Sequence, residues 1–122
     1  ILVPTDGSEF ARKAYEYALD QAQKANTEVI ALYVVETDSD DEREKGEEIL
    51  DEFVKMGKER KVRIKPLLRE GIAFKEVMNV ADQFKVGQIV LGVRSVATLT
   101  FFPGSTSQNV IRLAKQPVTL IK

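Results

Sequence analysis

Ile1-Leu2-Val3-Pro4-Thr5-Asp6-Gly7-Ser8 opens the chain, and how this stretch is read decides the fold. Ile1-Leu2-Val3 reads as a buried strand, stopped by Pro4 and the turn-forming Thr5-Asp6-Gly7-Ser8. Ser8 is a suitable N-cap, with Glu9 well placed in the first turn of a helix. Ala11, Ala14, Tyr15, Ala18, Leu19 and Ala22 then follow the spacing i, i+3, i+4, i+7 of an amphipathic helix. Asn26 and Thr27 break it, and the β-branched run from Glu28 to Val35 predicts a second strand.

The same alternation continues to the end of the chain, without a Pro- or Ser-rich linker. Thr37-Asp38-Ser39-Asp40-Asp41-Glu42 could be read as a metal trap. Its adjacent carboxylates lack EF-hand spacing and the central Gly, so a solvated loop leading into a helix is the favoured reading. Ile49, Leu50, Phe53 and Val54 mark one face of that helix, which runs to about Arg60. Val62 to Leu68 predicts a third strand, with Gly71 in the loop after it. Phe74, Val77, Met78, Ala81 and Phe84 outline a third helix. Ile89-Val90-Leu91 predicts a short buried strand ending at Gly92. After an irregular stretch to Pro103-Gly104, a last helix carries Val110, Ile111 and Ala114, and Pro117 opens a final strand, Val118 to Ile121.

The pattern is βαβαβαβαβ. It predicts one α/β domain over residues 1–122: an open, mostly parallel five-stranded sheet, Rossmann-like, with right-handed crossovers and helices on both faces. The strands lack polar alternation, as they must when both faces are covered. At 122 residues the chain suits a single core. The chain begins at Ile1, inside a strand and without an initiator Met, which points to residues upstream.

Composition narrows the chemistry. There is no Cys and no His. That removes disulfides, thiol nucleophiles, Cys-His zinc sites and imidazole bases together. Any chemistry falls to carboxylates, hydroxyls, Lys, Arg, backbone amides or a carboxylate-held metal. A formal net charge of -1 offers no overall basic field for nucleic acid or anionic membrane. The longest apolar run, Val29 to Val35, is far too short to span a bilayer, no signal-peptide pattern is read, and a cytoplasmic setting is expected.

Open parallel sheets bind ligands beyond the C-terminal ends of their strands, where strand order reverses. Two loops combine small, polar and Gly residues at such ends: Pro4 to Ser8, and Gly92 to Ser107. They face one crevice if the first and fourth strands are neighbours. Gly104-Ser105-Thr106-Ser107 precedes the last helix, where free backbone N–H groups and hydroxyls suit an anion such as phosphate. Capping of that helix by Ser105 or Ser107 is the plainer reading. Asp6 either accepts hydrogen bonds from a ribose or base amine, or simply forms the turn. Arg94 either reaches phosphates or is solvated. Phe101-Phe102 covers a pocket, packs inward or marks a partner surface. No G-x-x-x-x-G-K-[ST] is present, which excludes a Walker-type loop.

At this point the chain resembles the universal stress protein family. The opening Ile1 to Ser8, Arg69-Glu70-Gly71 before the third helix, Gly87-Gln88-Ile89-Val90-Leu91-Gly92, Gly104-Ser105 and Pro117-Val118-Thr119-Leu120-Ile121 match its pattern in order over almost the whole chain. The resemblance implies strand order 3-2-1-4-5 and a homodimer paired through Val118, Thr119, Leu120 and Ile121, an edge strand whose backbone groups invite pairing. It also implies ATP-binding and nucleotide-free subgroups. The ATP-binding pattern has Gly, two residues, Gly, nine residues, then Gly followed by Ser or Thr. Gly92 matches the first Gly and Gly104-Ser105 the last pair. Ser95 stands at the second Gly, and eight residues separate it from Gly104.

By resemblance, Pro4, Thr5, Asp6 and Val34 line adenine and ribose, with Gly92 beside them. Ser105, Thr106 and Ser107 meet phosphates if any bind, with Mg²⁺ accompanying ATP; Leu91, Arg94, Ser95 and Gly104 are counted with the same candidate site. Three functions compete: a nucleotide-sensing module, a nucleotide-free interaction module with protein partners, and, ranked last, a slow ATPase. No catalytic or resident metal-ligating residue is assigned.

Overall fold

The apolar runs pair side by side. In the computed structural model, which describes residues 1–94 and 106–122, strands β1 (Leu2–Pro4), β2 (Val29–Val35), β3 (Ile64–Glu70), β4 (Ile89–Gly92) and β5 (Val118–Ile121) form one sheet in the order β3-β2-β1-β4-β5. Every pairing is parallel. Between the strands lie helices α1 (Glu9–Ala25), α2 (Asp40–Glu59), α3 (Ala73–Gln83) and α4 (Thr106–Leu113). The expected α/β architecture and strand order are both present. Ser95, Phe101, Phe102, Gly104 and Ser105 lie outside the described residues.

The period-2 geometry of the strands divides the core into two layers. Val3, Ala31, Tyr33 and Val90 point to one face, where Ala14, Tyr15, Ala18 and Leu19 of α1 and Leu50 and Phe53 of α2 cover them. Leu2, Ile30, Leu32, Ile89 and Leu91 point to the other, under Val77, Val80 and Ala81 of α3 and Val110 of α4. β1 and β4, buried on both sides, therefore read as unbroken apolar runs, while β3 and β5 at the edges are only half-buried.

Local chemistry sets the ends. Ser8 caps α1, its Oγ accepting from the Ala11 N–H at 3.2 Å, and Asn26 closes that helix in the left-handed conformation at φ 51°. Ser39 caps α2 in the same way, accepting from the Glu42 N–H. Strand β3 starts two residues later than Val62, and the physical reason is the end of α2. Lys61 turns left-handed at φ 57° and the Val62 N–H donates back to the Gly57 carbonyl, so the chain is extended only from Ile64. The register with β2 then carries the strand on to Glu70. Pro4 ends β1 from within, as its last paired residue rather than the residue beyond it. No helix among the described residues is long and apolar enough to cross a membrane.

Tyr15 locks α1 to α2. Its ring stacks on Phe53 with centroids 4.0 Å apart, and its hydroxyl donates to the Phe53 carbonyl. Burial pushes its phenol well above the ordinary value, so it stays a donor. Tyr15→Phe keeps the stack and removes the hydrogen bond. The expected loss is about 1 kcal/mol of unfolding free energy, read as a lower urea midpoint with unchanged slope, and an unshifted midpoint contradicts the assignment.

Candidate functional site

Four of the sheet's structural features converge at the C-terminal ends of β1, β2 and β4. The first is the turn after β1. The Thr5 N–H continues the ladder by donating to the Leu32 carbonyl at 2.8 Å. Its hydroxyl then accepts from the Gly7 N–H at 3.1 Å, and Asp6 Oδ1 accepts from the Ser8 N–H at 2.8 Å. These short side-chain bonds replace the ladder that Pro4 interrupts. Gly7 sits at φ 84°, a conformation L side chains resist. The turn leaves Thr5 buried and Asp6 exposed.

The second is the approach of β4 to α1. A Cβ placed on Gly92 would lie 1.9 Å from the Phe10 carbonyl oxygen and 2.8 Å from the Ala11 nitrogen. Only the missing side chain lets the strand end touch the backbone of the helix's first turn. The third is the β2 end, where Val34 and Tyr33 form the wall. The fourth is the start of α4, whose Thr106 and Ser107 face the same space.

Together these elements enclose a cleft of about 490 Å³. Pro4, Thr5, Asp6, Val34, Leu91, Gly92, Thr106 and Ser107, all named from the sequence, line it. Arg94 does not. Its guanidinium lies over the Phe10 ring, 5.6 Å from the centroid, a cation–π contact rather than a position in the cleft. Ser95, Gly104 and Ser105 lie outside the described residues. α4 begins at Thr106, which puts Ser107 inside its first turn and removes it as the N-cap.

Sequence reasoning missed one wall. Tyr33, Glu36, Thr37 and Glu42 also line the cleft, together with Ala73 and Val77 of α3. Part of the acidic stretch read as a solvated loop is thus a built feature. Glu42 Oε1 accepts from the Glu36 N–H at 3.3 Å and Oε2 accepts from the Thr37 hydroxyl. The Glu36 carboxylate in turn accepts from the Ala73 N–H at 3.2 Å, capping α3 where Ile72 offers no side-chain bond. Asp38 and Asp40 instead pair outward with Arg43, which also binds Glu70. The signal was available, because the rule that ligands sit beyond strand C-termini applies to β2 as well as to β1 and β4.

The electrostatics follow from these contacts. The Thr37 hydroxyl bond, helped by the backbone N–H groups of Glu36 and Thr37 and by Lys45, holds the Glu42 carboxyl below its ordinary value. Burial, reinforced by the Glu42 and Asp6 carboxylates, pushes the Tyr33 phenol up. Among the described residues no Lys or Arg lines the cleft, and no three of His, Cys, Asp or Glu are gathered for a metal.

Comparison with known proteins gives the geometry a context. A family model described as the universal stress protein family matches residues 1–122. A universal stress protein of Methanocaldococcus jannaschii is 31% identical, over 100% of this chain and 81% of the relative. A crystal structure from the same family in Burkholderia pseudomallei has a TM-score of 0.83 at 27% identity, covering 98% of this chain and 92% of that one. The Archaeoglobus fulgidus universal stress protein solved in complex with dAMP shares the fold at a TM-score of 0.86 and 21% identity, covering 99% and 95%.

Two outcomes test the site's construction. Gly92→Ala forces backbone apart and is expected to cost at least the upper end of the about 1–3 kcal/mol typical of overpacking; an unaltered urea midpoint contradicts the close approach. Because the folded Glu42 value is depressed, its contact contributes fully above the unfolded value of 4.5 and is lost as pH falls through the lower folded value. A carbon-detected NMR titration should place Glu42 below ordinary glutamates. Thr37→Val should raise it towards them, and no movement in that variant contradicts the assigned cause.

Proposed function

The chain belongs to the universal stress protein family, and from that premise we propose that it is a stress-response module that binds an adenine nucleotide, ATP included, at the C-terminal ends of β1 and β4 as a sensor or switch. The observation that carries the proposal is the convergence of Pro4, Thr5, Asp6, Val34 and Gly92 on one cleft that opens onto the start of α4. In this reading the apolar wall of Val34 and Leu91 takes the adenine. Asp6 accepts from ribose or base, and Thr106 and Ser107 meet phosphate at the helix N-terminus. Mg²⁺ would accompany a triphosphate. The dAMP complex of the Archaeoglobus fulgidus relative supports an adenine ligand for a fold of this kind.

The same reading takes the protein to be a cytoplasmic homodimer paired through β5. Among the described residues β5 ends the strand order, and the outer backbone groups of an edge strand favour pairing with a second copy. Catalysis beyond slow ATP hydrolysis is not part of the proposal. The chain has no His or Cys, and Asp6 with a bound Mg²⁺ would be the remaining means.

A second reading has its own observation. Ile111 and Leu113 on α4 are 40% and 50% exposed, next in sequence to the β5 edge. In that reading this surface recruits a protein partner and no nucleotide is used.

Calorimetric titration with ATP and Mg²⁺ separates the two. Saturable binding is expected. Asp6→Ala should weaken it at least about tenfold, the scale of a lost hydrogen bond to a charged group, with the sedimenting mass unchanged. No heat at high protein concentration rejects the nucleotide reading in favour of the partner surface.

A further inference from the structure

The cleft carries an unusual charge balance for a site meant to take a nucleotide. Asp6, Glu36 and Glu42 line it, and no Lys or Arg does among the described residues. The hydrogen bonds that Glu42 accepts from Thr37 and the Glu36 N–H fix it as a carboxylate. Lys45, three residues on in α2, acts on Glu42 itself. Tyr33 lines the cleft as well, and its phenol, raised first by burial, is raised further by the Glu42 and Asp6 charges. A cavity of about 490 Å³ is comparable in width to the Debye length of about 10 Å at 0.1 M salt, so wall charges act on anything inside.

The connection from β4 to α4 adds little compensation. Residues 95–105 contain no Lys, Arg, Asp or Glu. Arg94, the remaining cation of that connection, sits over the Phe10 ring outside the cleft lining. Among the described residues, what faces an anion is the N-terminus of α4, worth roughly half a positive charge, together with the Thr106 and Ser107 hydroxyls. That complement suits one phosphate and falls well short of the charge of a free triphosphate.

Resting on the adenine-nucleotide reading, we propose that the cleft selects by phosphate charge. It prefers adenosine or an adenosine monophosphate to free ATP and takes ATP best as its Mg²⁺ complex, with Glu36 and Glu42 as the residues that set the discrimination. Glu36 repels from the β2 end while its carboxylate also caps α3. Its charge can therefore be removed without removing the acceptor, because a Gln side chain keeps an oxygen for the Ala73 N–H.

The test is a calorimetric series with adenosine, AMP, ADP and ATP on the full chain, first in EDTA and then with Mg²⁺. In EDTA, AMP should bind about tenfold or more tightly than ATP, and Mg²⁺ should close most of that gap. Glu36→Gln should narrow the EDTA gap by about threefold, mainly by tightening ATP. A purely structural role for Glu36 would shift all four ligands alike. ATP binding as tightly as AMP in EDTA, or affinity that rises with each phosphate, overturns the proposal while leaving the adenine site standing. Failure of every adenine compound, adenosine included, overturns the site and the selectivity together. If the Gln variant does not fold, the wild-type ranking alone decides.

Discussion

The close approach of Gly92 to the first turn of α1 is the constraint on which the cleft depends. The Phe10 carbonyl would stand 1.9 Å from a Cβ at this position, so the strand and helix touch backbone to backbone. That contact fixes how far α1 can lean over β1 and β4. The start of α1 is itself fixed by the Asp6 and Ser8 bonds in the turn after Pro4. Thus one absent side chain and three short hydrogen bonds within residues 5–11 determine the floor of the cavity. The remaining walls are borrowed from the ends of β2 and the starts of α3 and α4. The cleft is a consequence of how the sheet is closed at its centre.

Helix direction explains one of the cleft's three carboxylates, Glu42, while Asp6 and Glu36 come from the loops after β1 and β2. In a parallel sheet each connecting helix runs back against the strands, so helix N-termini gather at the strand C-terminal end. Helix chemistry places carboxylates there: Glu9 in α1, Asp40, Asp41 and Glu42 in α2, and Glu76 in α3. Lys24, Lys58 and Arg112 occupy last turns at the other end. The rule that steadies the helices thus gathers negative charge at the strand C-terminal end, and Glu42 carries part of it into the cleft. α4 differs, with hydroxyls and no acid in its first turn. The same cleft therefore offers an uncharged helix start to an anion on one side and carboxylates on the other. Glu36 and Glu42 have structural duties, as a cap and a loop tie, before they have any bearing on a ligand.

Most of the fold was legible because its signals are local. Unbroken apolar runs such as Val29 to Val35 cannot be half-exposed, and the Ala14–Tyr15–Ala18–Leu19 spacing has one helical face. The element ends were less legible where tertiary closure decides them. Val62 looks like a strand residue, but the left-handed Lys61 and the Gly57 carbonyl hold it in the helix exit. In the site, the Pro4 to Asp6 turn and Gly92 stood out through residue type and position at strand ends. Thr37 and Glu42 did not, since a carboxylate bound to a neighbouring hydroxyl and one merely solvated are written with the same letters. Arg94 was read towards the cleft because nothing in its neighbours announces the Phe10 ring, which is brought to it by the same β4–α1 contact.

The central claim is that adenine compounds occupy this cleft, and amide chemical-shift mapping with AMP tests it most directly. The account predicts saturable shifts confined to Thr5, Asp6, Gly7, Val34, Gly92, Thr106 and Ser107, with the α1–α2 end near Asn26 and Lys61 silent. Shifts centred at that far end, or none at saturating AMP, would contradict it.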